Sequence, residues 1–260
     1  MESLLTAIFQ QTNETVLIAA GIFARVGAIA FLLPGMGERG ISLRVRLGGA
    51  LALTALLAPL ITPLIPETPE TVAALGRMML SEVISGLIIG FSFRLLIFAL
   101  QTAGMVAAQH LSVVQMFGAG VAPEPEPTIA TLLAMAGITL ALMAGLHVNT
   151  VALIARLYDV LPFGQFPDPV SVGDWATARM AETFALGVTL AAPFVAVGFT
   201  YNIALGALNR AMPQLLVAVV GIPALLWIGM VVLHHVIPSI FDAWDIRLQR
   251  ILIDPLGGLG

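Results

Sequence analysis

The chain has 260 residues, 59% of them hydrophobic and only 10% charged, with a formal net charge of −4 and a mean hydropathy of +1.01. So little polar surface cannot cover a water-soluble globule of 27.3 kDa, and the composition is that of an integral membrane protein. The acidic balance and scattered arginines exclude a nucleic-acid surface, and the absence of cysteine excludes disulfides and thiolate metal sites.

Six apolar runs predict an all-α fold of long, kinked, membrane-associated helical hairpins, about six apolar helices in all. The opening stretch has no basic region before Arg25, which argues against a cleaved signal peptide. The first run, Val16 to Leu33, ends in Pro34-Gly-Met-Gly-Glu-Arg-Gly40, which contains G-x-G-x-x-G. A dinucleotide site needs a strand before that motif and a helix after it, and Glu38 would repel a pyrophosphate, so these glycines read as a turn. The second run, Leu47 to Ile65, stops at Pro66-Glu-Thr-Pro69, and Thr71-Val72 looks like the next helix entry.

The third run, Met78 to Ala108, would extend about 46 Å as a straight helix against roughly 30 Å of hydrocarbon. It also carries Glu82 and Arg94, separated by fewer residues than the ~20 a spanning helix needs, so it is buried by protein or displaced from the bilayer plane. Glu82, Gly86, Gly90 and Arg94 recur every four residues. The glycines admit a close backbone neighbour, from this chain or from another subunit, and the intersubunit seam is the sharper expectation. About 18 Å separate the two charges along the axis, so each must reach a different partner.

Beyond the third run comes Gln115-Met-Phe-Gly-Ala-Gly-Val-Ala122 and then Pro123-Glu-Pro-Glu-Pro127. If this segment lies in a pore, Met116 and Phe117 make a deformable apolar seal on the flexible Gly118 and Gly120; at a surface it is a connector. A fourth run covers Ile129 to Val148, followed by the break from Pro162 to Asp174, where Asp174 is the expected helix cap. Phe184 to Leu208 and Leu215 to Ile237 complete the set, with Pro193, Pro223 and Pro238 expected to bend or break their helices.

Arg25, Glu82, Arg94, Arg156, Glu182 and Arg210 sit inside or beside apolar runs, where a lipid-facing charge is expensive, so they are expected to face protein or water. Arginines 39, 44 and 46 place the first loop in the cytoplasm, yet six alternating spans would leave Arg247 and Arg250 outside. His234 and His235 are adjacent and diverge by about 100° on a helix, so they do not chelate one metal, while His110 and His147 stand alone. No paired carboxylates, and no nucleophile with a base, can be named, so neither enzyme chemistry nor a cofactor is expected.

Two stretches carry a resemblance: Ala24-Arg-Val-Gly-Ala28 leading to Arg44-Val-Arg-Leu47, and Leu208-Asn-Arg-Ala-Met-Pro-Gln-Leu215 followed by Val220-Gly-Ile-Pro223. They resemble the FliR family of flagellar export-gate proteins, with counterparts in type III secretion. The resemblance implies one non-catalytic subunit of the gate, in the bacterial inner membrane at the flagellar basal body. It implies assembly with FliP-like and FliQ-like subunits, and with an FlhB-like subunit, into a channel for unfolded export substrates. It further implies a FliP-like part over residues 1–174, a FliQ-like hairpin over 175–260, and a pore plug at Gln115, Met116, Phe117, Gly118 and Gly120. Arg25, Glu82, Gly86, Gly90, Arg94, Arg210 and Pro213 are the expected assembly residues. The alternative is a secondary transporter with Glu82, Glu182 and Arg210 lining a midplane site.

Overall fold

The computed structural model describes residues 2–38, 40–65, 71–110, 128–211 and 217–257. It is 88% helical, and no strand occurs among the described residues, as the hydropathy pattern predicts. The α-helices in chain order are α1 (Glu2–Leu32), α2 (Leu43–Ile61), α3 (Val72–His110), α4 (Thr128–Met143), α5 (Leu146–Val160), α6 (Pro169–Ala211) and α7 (Val217–Ile253). Five are long and apolar enough to cross a membrane, and the α4–α5 pair, bent by 70°, makes a sixth if it counts as one broken span.

Local chemistry explains most of the boundaries. After α1 the chain reverses at Gly35 (φ +87°), and the amide of Gly37 closes the helix end by donating to the Leu33 carbonyl at 2.7 Å. A side chain at Gly37 would collide with the Phe31 carbonyl, so the glycine pair serves a turn and not a nucleotide. Thr71 caps α3 by accepting from the Ala74 amide at 3.2 Å, the entry its sequence position suggests.

Two expectations are corrected and a third, that prolines bend or break their helices, is narrowed. The fourth apolar run is two helices: Gly145 adopts φ +78°, a left-handed conformation that ends α4, and α5 follows at once. Asp168, not Asp174, caps α6, because its Oδ2 accepts from the Ser171 amide at 2.8 Å and hydroxyl at 2.7 Å, while Asp174 lies inside the helix. Finally, α6 continues through Pro193 and α7 through Pro223 and Pro238, so none of these prolines breaks its helix. Each removes one helical donor from helices about twelve (α6) and ten (α7) turns long, where many other backbone bonds persist.

The chain forms two compact units. The first comprises Met1–Arg94, Ala141–Arg179 and Leu248–Gly260. Here α1 buries Ile18, Ile22, Arg25, Val26 and Ile29, a stripe at helical spacing that Leu33 continues just past the helix, and α2 lies along it through Ala50, Leu57 and Ile61. Ser92 on α3 donates to the Pro255 carbonyl at 3.1 Å, tying down the turn after α7.

The second unit comprises Leu95–Leu140 and Met180–Arg247. Its helices meet at glycines: a Cβ at Gly104 would strike the backbone of Ala130, at Gly137 the Leu100 side chain, at Gly187 Thr102 and Ala99, and at Gly198 His110. This is small-residue packing, which in a membrane replaces the hydrophobic drive that lipid cannot provide. Trp244 is buried beside this seam and donates its indole N–H to the Leu96 carbonyl at 3.0 Å, so its one polar atom is satisfied.

Candidate functional site

The polar centre of the first unit is built from three stretches far apart in sequence. Arg25 on α1 and Glu82 on α3 are both fully buried. Arg25 Nη2 donates to Glu82 Oε1 at 2.9 Å, and Nε stands 2.8 Å from Oε2 as an ion-pair contact without hydrogen-bond alignment. The remaining terminal nitrogen, Nη1, donates to the Leu161 carbonyl at 2.9 Å. Glu82 Oε1 also accepts the Gly164 amide at 2.8 Å, and the Tyr158 hydroxyl reaches Oε2 at 3.4 Å.

Aromatic groups close the site. The Arg25 guanidinium lies 3.8 Å from the Tyr158 ring centroid, and Phe163 stacks on Tyr158 at 6.3 Å. Gly164 has φ +72°, which turns its amide onto the carboxylate. The α5–α6 turn thus acts as a lid of main-chain groups over a charge pair. A fully buried pair survives only when its other lone pairs and protons are largely met; here Glu82 gains the Gly164 amide and the Tyr158 hydroxyl and Arg25 the Leu161 carbonyl, while Arg25 Nε has its ion-pair contact alone.

One and two turns beyond Glu82 on α3, Gly86 and Gly90 give α1 its place. A Cβ on Gly86 would run into the Arg25 carbonyl and stand 2.8 Å from the Ala28 Cβ; on Gly90 it would stand 2.9 Å from the Leu32 Cβ. Both glycines are buried. The expectation of an intersubunit seam on this face is therefore corrected, since α1 of the same chain already fills it. The bland alternative, a seam within the chain, is what the stripe forms.

Arg94, at the far end of the stripe, finds its partner just past α1. Its Nη1 donates to Glu38 Oε1 at 2.6 Å, with the two side chains 21% and 33% exposed. Arg46 of α2 holds the same turn by its main chain, Nε donating to the Met36 carbonyl at 3.0 Å and Nη2 to that of Glu38 at 3.2 Å. Glu82 and Arg94 thus reach α1 and the turn just past it respectively, a choice that the sequence spacing alone could not make.

The other sequence-selected residues lie apart from this centre. Glu182 pairs with Arg247 in the second unit, Arg156 is exposed on α5, and Arg210 is exposed at the end of α6. Gln115, Met116, Phe117, Gly118, Gly120 and Pro213 lie outside the described residues. Sequence reasoning missed Tyr158, Leu161 and Gly164, whose only signal was a Tyr and a Gly flanking Pro162, and it missed the pairing of Glu38 with Arg94. It also missed Trp244 and the glycines at 104, 137, 187 and 198; their small-residue seam was legible only as scattered Gly in apolar runs.

Glu82 lines neither of two apolar grooves described in the first unit. One, of about 900 Å³, runs between the end of α1, α2 and the α4–α5 bend. A narrower one, of about 320 Å³, runs between α1, α2 and α3. The arrangement suits a rigid scaffold that presents apolar helix faces, among them Leu51, Leu56 and Leu60 of α2 and Phe184, Phe199 and Ile203 of α6.

Comparison with known proteins identifies the family. The family model described as bacterial export proteins, family 1, matches residues 16–251. Flagellar biosynthetic protein FliR of Caulobacter vibrioides is 33% identical over 244 residues, covering 93% of this chain and 96% of the relative. The proteins of the same name from Escherichia coli and Aquifex aeolicus are each 28% identical, covering 83% and 88% of this chain and 82% and 89% of the relatives. With a match that runs from the middle of α1 almost to the end of α7, the chain belongs to the bacterial export proteins, family 1.

Proposed function

We propose that this protein is a non-catalytic subunit of the flagellar type III protein export gate, placed in the bacterial inner membrane at the basal body. In this reading it assembles with FliP-like and FliQ-like subunits, and with an FlhB-like subunit, to form the channel for unfolded export substrates. The observation that carries it is the family match over residues 16–251, together with relatives named flagellar biosynthetic protein FliR over most of their length. Five or six candidate spans fit a membrane part. The exposed apolar faces of α6 and of α7, with Trp227 and Met230, support burial against neighbouring subunits.

Residues 1–174 are proposed to act as the FliP-like part and 175–260 as the FliQ-like hairpin. The loop at Gln115, Met116, Phe117, Gly118 and Gly120 is proposed to plug the pore. Arg210 and Pro213 are proposed to anchor the turn between α6 and α7. The G-x-G-x-x-G stretch closes the end of α1 as a turn, and the energy for transport is proposed to come from another component of the gate.

Deleting the coding sequence in its own host should abolish filament export and motility, and the full chain should restore both. A tagged copy should purify in one heteromeric membrane complex. Normal filament export without the chain would overturn the proposal, as would recovery of the chain as a lone monomer from functional membranes.

A further inference from the structure

The connection between α5 and α6, residues 161–168, is held to the first unit at few points. Leu161 is its one buried residue; Phe163, Gly164 and Pro167 are half-buried and the others are exposed. Pro162 and Pro167 have no amide to donate, and the Gln165 amide reaches the Pro162 carbonyl by a long bond of 3.3 Å. Both ends are fixed by helix ends, since the Leu161 amide donates to the Leu157 carbonyl at 2.8 Å and Asp168 caps α6. Exposed main chain with few buried contacts is what lets a segment open at low cost while its flanks stay folded.

One apolar and two polar attachments hold this connection down. Phe163 enters a notch left by Gly21 of α1, where a Cβ would stand 2.5 Å from the ring's Cζ. Met78 of α3 lines the same notch, 3.4 Å from that Cβ and 3.4 Å from one built on Gly164. The polar attachments come from the two members of one ion pair. Arg25 gives Nη2 to Glu82 and Nη1 to the Leu161 carbonyl, and Glu82 Oε1 accepts both from Arg25 and from the Gly164 amide. Bonds shared in this way are linked: lifting the connection takes one partner from each member of the pair, and loosening the pair weakens both polar attachments by the same coupling.

We propose that residues 161–168 form a strap that opens and closes as one piece while α1, α3 and α5 stay folded, with Phe163 as its key and the Arg25–Glu82 pair as its clasp. Closed, the strap completes the burial of the pair. Open, it hydrates the pair and releases the entry to α6 from α1 and α3. The pair thus does more than join two helices: its strength sets how often the strap lifts.

The test is amide hydrogen exchange on the full-length protein in lipid discs, read at single amides. The Gly164 amide should exchange well ahead of those of Ile88 and Ile89, which are buried in α3 beyond Glu82. Phe163→Ala leaves both members of the pair in place and should speed Gly164 exchange roughly five- to tenfold, the factor that half the worth of burying a phenylalanine corresponds to. Ile88 and Ile89 should keep their rates in that variant, and Phe163→Leu should restore most of the protection. Arg25→Lys keeps a charge beside Glu82 but loses the fork that joins it to Leu161, and should also speed Gly164. Because the chain has no cysteine, Met78→Cys places a single thiol beneath the strap, and its reaction with a water-soluble maleimide should rise with Phe163→Ala by the same factor. Gly164 exchange in step with Ile88 and Ile89 would mean that the turn opens only with the whole unit and would overturn the proposal. Unchanged Gly164 exchange and thiol reaction in Phe163→Ala would overturn it too, and Gly164 exchange in Arg25→Lys as slow as in the original would remove the clasp.

Discussion

Gly86 lies beneath the main-chain carbonyl of Arg25, one turn along α3 from the carboxylate that the Arg25 side chain holds. The same residue of α1 thus meets α3 twice, by its backbone against a glycine and by its guanidinium against Glu82. The ion pair needs α1 at this distance, and only an absent Cβ permits it.

Gly86→Leu should therefore damage the protein itself, not only its assembly. Overpacking costs typically 1–3 kcal/mol where neighbours can shift, and more here because the obstacle is backbone. Gly27→Ala, at a position with open space, is the control and should melt like the unaltered chain. Thermal unfolding of the purified protein in detergent would decide it, and a normal melting temperature for Gly86→Leu would refute the internal seam.

Arg25→Ala should destabilise by on the order of 3–5 kcal/mol, because Glu82 would be left in a buried site without its charge partner, with only the Gly164 amide and the Tyr158 hydroxyl beside it. The double replacement Arg25→Met with Glu82→Leu should recover part of that loss. A residue of about 1–3 kcal/mol per group should persist where the Gly164 amide and the Leu161 carbonyl lose their partners. A double variant as unstable as Arg25→Ala, measured in the same melts, would show that pairing is not what keeps these charges buried.

The Glu38–Arg94 pair is partly exposed, so solvent screens it and Glu38→Gln should cost only about 0.2–1 kcal/mol. That small loss should vanish in 1 M salt, where the screening length falls to about 3 Å. A salt-independent loss in detergent melts would point to the main-chain bonds from Arg46 and away from the ion pair.

Asp168 caps α6, and the Ser171 amide and hydroxyl hold its carboxyl below the usual carboxylate range. A depressed value means that the cap is fully present above the unfolded carboxylate pKa and is lost only as the pH falls through the lower folded value. Amide exchange at Ser171 and Val172 should stay slow across neutral and mildly acidic pH and speed up only in strong acid. Asp168→Ala should give fast exchange at every pH; unchanged protection in that variant would remove the cap.

Deleting residues 115–121 should raise small-ion conductance of the assembled complex in a planar bilayer while the complex still forms. The proposed Met116 and Phe117 seal would bury roughly 3–6 kcal/mol of apolar side chain, enough to close a pore and still yield to substrate. Unchanged conductance, with assembly confirmed in the same preparation, would make the segment a connector.

The sequence by itself determined the membrane class, the helical fold and most breaks, because hydropathy, Gly and Pro act within a few residues of where they stand. It also determined that Arg25, Glu82 and Arg94 need partners, since a lone charge in an apolar run has a cost wherever the chain folds. It did not name those partners. Arg25 and Glu82 are 57 residues apart and Glu82 and Gly164 are 82, and pairings over such distances leave no period to read. The α4–α5 break was hidden for a related reason, because Gly145 inside an apolar run looks like a packing glycine until its backbone turns left-handed. Whether Gly86 and Gly90 faced another subunit or this one was likewise decided by tertiary structure alone. A small residue advertises space beside a helix, and only the folded chain shows that α1 occupies it.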